Sequence, residues 1–335
     1  MPGLPARLGL MLSGRQPLAD FTAAARQAEA AGFGRVWAGD GGGDVVALLA
    51  AAALVTSQVG LGAAVMVWHR PPVVAARAAA QLARFAPGRL VLGLGTGPRE
   101  WNEDWWGIPF ERPVARMKEY LTILRALLTP AEEPFSYQGA FFHLRRCPPT
   151  PPPEPVPLLL GTVGPQMNRL AGQVADGVLF DVCLPLRYLT EVAIPAVEAG
   201  LARSGRPRDR FHRAALVAAG VDPDPAIARQ HVKRAIAGHL AQEYFFPIWA
   251  AAGFEAEARQ ARERLAAGDH PGALAAISDA FAETVGLAGT ADQVRHQAAA
   301  WLEVVDELVL LSPPFAASAS EVAANRQALL TTFSA

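Results

Sequence analysis

Short runs of consecutive apolar residues alternate along this chain with longer stretches in which apolar positions recur every three or four residues. The first pattern predicts strands buried on both faces, and the second predicts helices with one face packed inward. Their alternation predicts a parallel sheet with helical crossovers. Strands are expected at Leu8 to Leu12, Arg35 to Ala38, Val59 to Val67, Arg89 to Leu94, Val156 to Leu160, Gly177 to Phe180, Phe211 to Val221 and Glu307 to Leu311. Helices are expected over Pro17 to Ala31, Asp44 to Ser57, Pro72 to Phe85, Pro113 to Leu128 and Pro165 to Ala175, and again from Thr290. Asp44 stands where an amino-terminal cap belongs, and proline is tolerated in a first helical turn. Eight strands in 335 residues favour a single (β/α)8 barrel over a doubly wound sheet.

Three segments interrupt the rhythm. Tyr137 to Leu144 reads as a surface hairpin, and the proline run from Cys147 to Pro155 as an extended connector. That connector is a surface crossing and not a domain linker, because the alternation resumes at Val156. Residues 224–287 form a helical insertion after the seventh strand, carrying Phe245, Phe246, Pro247 and Trp249, and read as a lid or a dimer surface, with plain packing as the alternative. The whole of residues 1–335 is therefore read as one barrel domain with one insertion.

Composition narrows the function classes. Hydrophobic residues make up 51% of the chain, enough for one large core, and a formal net charge of -1 gives no electrostatic case for binding nucleic acid or an anionic membrane. The longest apolar stretch, Val45 to Val55, is too short to span a bilayer, and Met1 to Arg7 does not open a signal peptide. A cytoplasmic protein is expected, with Cys147 and Cys183 as free thiols because their spacing matches no metal or redox motif.

Barrels of this kind bind ligands at the carboxyl ends of their strands. Here those ends carry Asp40, Val65 to His69, Gly95 to Asn102, Gly161 to Gln166, Asp181 and Ser312. His69 is the one histidine among them, so no metal site is expected; His231 and His239 read as surface or packing residues. The run from Pro87 to Gly97 is a strand ending in Gly93, Gly95 and Gly97, read as glycines that let a ligand approach the backbone. A dinucleotide fold is excluded because Pro98 takes the place of a third glycine. Gly161 to Pro165 joins a strand to a helix, so the N–H groups of Gln166 and Met167 are placed to meet an anion, while Pro165 has no donor. Trp101, Trp105 and Trp106 either pack beneath their loop or stack on a substrate.

Six segments taken together, Val59 to Val65, His69 to Pro72, Pro87 to Gly95, Pro157 to Pro165, Arg169 to Gly177 and Gly289 to Val294, resemble the bacterial luciferase-like family of flavin and deazaflavin oxidoreductases, in order and over nearly the whole chain. The turns Gly95-Thr96-Gly97 and Gly164-Pro165 resemble the branch that uses coenzyme F420. The resemblance implies a (β/α)8 barrel, a homodimer, a small-molecule substrate and hydride transfer at the deazaflavin. It implies Asp40 beside the coenzyme ring, and a cis peptide at Ala64–Val65 backing the ring, with Val67 further along that strand. It also implies Gly95, Thr96 and Gly97 at the ring edge, Asn102 bonded to the ring, and Gly161, Thr162, Gly164, Pro165, Gln166 and Met167 around the coenzyme phosphate.

The chain departs from the sugar-phosphate dehydrogenase of that branch. Gly41 replaces an acid histidine, Pro98 replaces a glutamate with Glu100 two residues on, and Asp181 to Leu184 replace a phosphate-binding basic residue. Glucose 6-phosphate is therefore not the expected substrate, and Glu100, Asp40 and His69 are the candidates for proton transfer. Two alternatives stand beside the F420 reading: an FMN-dependent luciferase-like monooxygenase, and a flavin-binding relative without catalysis.

Overall fold

Parallel strands close on themselves in a computed structural model that describes residues 4–334. They are β1 (Leu8–Met11), β2 (Arg35–Ala38), β3 (Gly60–Val67), β4 (Leu90–Gly95), β5 (Leu158–Thr162), β6 (Gly177–Phe180), β7 (His212–Val221) and β8 (Glu307–Leu311). Each pairs with the next, and β8 returns to β1 through Leu8 opposite Leu308. The fold is thus the (β/α)8 barrel that the alternation predicts. β4 and β6 are buried along their whole length, as strands covered by a barrel interior and an outer helix must be.

The outer layer begins with α1 (Leu18–Ala30), α2 (Val45–Val55), α3 (Pro72–Phe85), α4 (Pro113–Leu128), α5 (Pro165–Val174) and α6 (Ile194–Ser204). α3 turns Ala75, Ala76, Ala79, Ala80 and Ala83 inward, a small-residue face that brings its axis close to the sheet. Asp44 caps α2 by accepting from the Ala47 N–H at 3.0 Å, as its position predicts. The insertion follows as α7 (Pro225–Ala237), α8 (Phe246–Ala251), α9 (Glu255–Ala266), α10 (His270–Ala275) and α11 (Asp279–Val285), and the chain closes with α12 (Ala291–Leu302) and α13 (Ala319–Phe333). Thr290 and Gln293 form a reciprocal capping box that starts α12 where the sequence places it.

Two details differ from expectation. The hairpin pairs Phe135–Gln138 with His143–Cys147 and so extends beyond both ends of the Tyr137 to Leu144 reading. A short strand, Leu287–Gly289, pairs with Ala219 to Val221 at the far end of β7. Three residues are too few to show any alternation, so only tertiary pairing identifies it.

At the amino-terminal end of the barrel a buried polar network joins three strands. Glu307 accepts from Trp37 Nε1 at 2.7 Å and from Arg35 Nε at 3.3 Å, and lies 3.1 Å from His212 Nε2. The indole crosses the interior where glycines leave room: a Cβ on Gly9 would sit 2.6 Å from Trp37 Nε1. Burial alone would raise the Glu307 pKa, but His212, Arg35 and Trp37 together outweigh it and hold the carboxyl below its ordinary value. The carboxylate therefore stabilises the fold above the ordinary carboxylate range, and that contribution declines as pH falls through the depressed native value. Replacing Glu307 by Ala, which strands Arg35 and His212, is expected to cost about 3 kcal/mol at pH 7 and less under acid. Urea unfolding at several pH values checks this; a loss independent of pH would contradict it.

Candidate active site

The carboxyl ends of β2 to β5 form one face of the barrel mouth, and Asp40 ties two of them together. Its Oδ1 accepts from the Val45 N–H at 3.1 Å, at the start of α2, and its Oδ2 accepts from the Val67 N–H at 2.9 Å and from Arg70 Nη1. Arg70 also holds Asp44 at 2.7 Å. With its side chain 3% exposed and these partners on both oxygens, Asp40 is a brace between strands and not a free acid. Both oxygens of this candidate for proton transfer are thus engaged within the protein. Val67 is likewise buried at 2% exposure, with its side chain beneath Gly97.

Next to this brace the Ala64–Val65 peptide is cis, as the resemblance implies, and both residues are half-buried at the mouth. The pairing of β3 with β4 slips in register between Ala63 and Met66 around it. Val65 fills space that other strands leave: a Cβ on Gly95 would lie 2.4 Å from Val65 Cγ2, and one on Gly161 2.6 Å from Val65 Cγ1. The glycine at the end of β4 therefore admits a neighbouring side chain of the protein, where the sequence was read as admitting a ligand.

After β4 the chain turns through Thr96 and Gly97, where φ is +66°, and enters a π-helical turn over Trp101–Trp105. Asn102 is fully buried and organises this loop. Its Nδ2 donates to Thr96 O at 2.9 Å and Pro98 O at 2.8 Å, while its Oδ1 accepts from Trp68 Nε1 at 2.5 Å. Asn102, expected from the resemblance to bond the coenzyme ring, thus has both ends of its amide engaged within the protein. Trp101 stacks on Trp105 at 5.0 Å, and Trp105 is 64% exposed, so these rings line the mouth and do not lie in the core. Gly41 makes room for them, since a Cβ there would sit 3.0 Å from Trp101 Cη2. Glu100 is exposed at the start of the turn. His69 is half-buried and stacked on Trp106 at 4.3 Å, with a buried Nδ1 that has no protein partner. Burial and then Arg70 lower its pKa, against Asp40 and Asp44, so the ring is predominantly neutral near pH 7.

Across the mouth, β5 leads through Gly161 and Thr162 into α5. Gly164 is the N-cap of α5 and offers no side chain to the helix end, and a Cβ there would meet nothing within 4 Å. Pro165, Gln166 and Met167 form the first turn, where backbone N–H groups have no intrahelical acceptor. Thr162 is 3% exposed with Oγ1 unpartnered, and Asn168 Oδ1 is likewise buried and unpartnered. An open, uncapped helix start beside the unpartnered Thr162 hydroxyl, which can donate, is a fit site for an anionic group.

No three His, Cys, Asp or Glu side chains gather to hold a metal ion among the described residues, where Cys147 and Cys183 are free thiols and no helix is long and apolar enough to cross a membrane. A surface cleft of about 740 Å³ lies on the flank of the barrel, between α4 and the hairpin, lined by Leu121, Arg125, Pro149 and Arg206. Both arginines there already hold Asp176, so the cleft is remote from the mouth in place and in chemistry.

The profile of the luciferase-like monooxygenase family matches residues 4–307. The chain belongs to that family. An uncharacterised protein of Mycobacterium bovis is 36% identical over 64% of this chain, and the matched region spans 66% of that relative's length. The F420-dependent glucose-6-phosphate dehydrogenase of Kineococcus radiotolerans is 31% identical over 69% of this chain and 73% of its own. The coenzyme F420-dependent tetrahydromethanopterin reductase of Methanopyrus kandleri superposes with a TM-score of 0.83 over 98% of this chain and 99% of its own, at 23% identity, which establishes the shared barrel.

Replacing Asn102 by Ala in this luciferase-like barrel leaves Trp68 Nε1, Thr96 O and Pro98 O without their partner. It is expected to cost about 2 kcal/mol and to raise amide exchange throughout residues 96–106. Hydrogen-exchange mass spectrometry reads this, and unchanged protection of the loop would contradict it.

Proposed function

We propose that this protein is a coenzyme F420-dependent oxidoreductase that moves a hydride between the deazaflavin and a small organic substrate. The observation that carries the proposal is the pairing, on one barrel mouth, of the half-buried Ala64–Val65 surface with the uncapped start of α5. A flat ring lies on the first while an anionic tail reaches the second. The F420-dependent relative, 31% identical, supports the choice of coenzyme.

When bound, the coenzyme supplies the hydride chemistry at its ring. The protein contributes placement. Val65 backs the ring, and Asp40 and Arg70 keep the ends of β2 and β3 in register beneath it. Thr96 and Gly97 border it, and the N–H groups of Gln166 and Met167, with Gly161, Thr162, Gly164 and Pro165, enclose the phosphate. Trp101 and Trp105 screen the mouth from water. Glu100 stands free at the edge to accept or donate a proton, and His69 is the second candidate. The expectations of a homodimer and of a cytoplasmic setting belong to this reading and rest on the resemblance and the composition.

Fluorescence titration of the purified protein with F420 and, separately, with FMN tests the coenzyme. Tight binding of F420 with weak or no binding of FMN is expected; preference for FMN would overturn the assignment. Gln166→Glu adds a carboxylate at the start of α5, which favours the helix but repels a phosphate, so F420 affinity is expected to fall about tenfold with no loss of melting temperature. Glu100→Gln is expected to lower turnover while leaving coenzyme affinity intact, and unchanged turnover would remove Glu100 from the reaction.

A further inference from the structure

The turn that follows β3 carries a histidine whose two ring nitrogens meet different surroundings. His69 lies between Val67 and Arg70, both tied to Asp40, and its ring stacks on Trp106 at 4.3 Å with 25° between the planes. Trp106 is itself held over the turn after β4: a Cβ on Gly97 would lie 3.5 Å from Trp106 Cζ3, and Trp101 meets the Trp106 ring edge-on at 6.1 Å. The backbone joins the same elements, since the Trp68 N–H donates to Gly95 O at 3.2 Å. His69 is thereby fixed at the mouth, beside the Gly95 to Gly97 turn.

Within this stack Nδ1 is buried and has no partner, whereas Nε2 has no protein partner and is not buried. A neutral imidazole carries one N–H and one bare nitrogen. A proton on Nδ1 would bury an N–H that lacks an acceptor. The imidazolium would bury the same orphaned N–H and add a charge to it. A proton on Nε2 is satisfied by water, and only a lone pair goes unmet inside. A buried donor without a partner is the rarer defect, and burial penalises a charge, so the neutral ring with its proton on Nε2 is favoured. The lowered pKa of His69, caused first by burial and then by Arg70 against Asp40 and Asp44, agrees with this order.

We propose that His69 is a fixed hydrogen-bond donor of the mouth, presenting Nε2–H to a carbonyl oxygen of the molecule bound there, and that it does not accept a proton. The acceptor is an uncharged oxygen with partial negative charge, supplied by a carbonyl of the deazaflavin ring or by a carbonyl substrate. The inference deepens the oxidoreductase reading and rests on it for the identity of the ligand, while the place of the proton rests on the stack alone. Of the two candidates for proton transfer, it leaves Glu100.

Long-range 1H–15N correlation spectra of protein labelled with 15N-histidine show which nitrogen of each of the seven histidines carries a proton, and His69→Gln identifies the His69 signals by their loss. At pH 7 without ligand, His69 is expected to be neutral and protonated on Nε2. A proton on Nδ1, or on both nitrogens, would overturn the proposal. The Nε2 signal is then expected to shift when F420 is added, which assigns the acceptor to the ring, or when cyclohexanone is added to F420-loaded protein, which assigns it to the substrate. A signal that moves with neither would also overturn the proposal. Fluorescence titration measures the bond itself: His69→Leu is expected to weaken that ligand about tenfold, and His69→Gln, whose amide N–H reaches the same place, to stay within about threefold of the unaltered protein. Both variants lose the ring stack, so equal weakening in the two would assign the effect to packing and sink the donor role. Should F420 itself fail to bind, the coenzyme reading fails separately. The ligand-free spectrum, and cyclohexanone added to the coenzyme-free protein, then still decide the place of the proton and the donor role.

Discussion

The barrel mouth depends on one packing constraint: Val65 occupies the space that two glycines on neighbouring strands leave empty. Gly95 at the end of β4 and Gly161 at the end of β5 each place the missing Cβ within 2.6 Å of a Val65 methyl. Any larger residue at either position would push Val65 out of the mouth and unseat β3 from β4. Asp40 secures the same strand from the other side through the Val67 N–H and Arg70. A surface fixed from both sides is what a flat ring requires if its reacting face is to be held against a substrate.

The rest of the mouth is built around that surface. Asn102 locks the loop after β4 and so sets where Trp101 and Trp105 stand, and Gly41 yields the room that Trp101 takes. On the opposite side, α5 begins without a side-chain cap. Its first-turn N–H groups are open to solvent beside the buried Thr162 hydroxyl, which has no protein partner. At the far end of the barrel Glu307, Trp37, Arg35 and His212 perform a purely structural task, which leaves the two ends with separate roles.

Much of this architecture is legible in the sequence, for local reasons. All eight barrel strands lie where uninterrupted apolar runs predict them, because a strand covered on both faces has no polar alternation to obscure it. The caps at Asp44 and Thr290 are legible because one side chain and one helix start suffice. What the sequence hides is tertiary. Asp40 and Asn102 enter as coenzyme contacts through the resemblance alone, and their protein partners, Val67, Arg70, Trp68 and Thr96, become visible only when strands are brought together. The glycines of β4 are misread for the same reason: a missing Cβ signals a close approach but not what approaches.

The central claim is that the Val65 surface and the start of α5 together seat the coenzyme. A crystal structure of the protein with F420 tests it most directly. The account predicts the ring against Ala64 and Val65, with the phosphate bonded to the N–H groups of Gln166 and Met167. A coenzyme lodged in the flank cleft between Arg125 and Arg206, or a ring lying away from Val65, would contradict it.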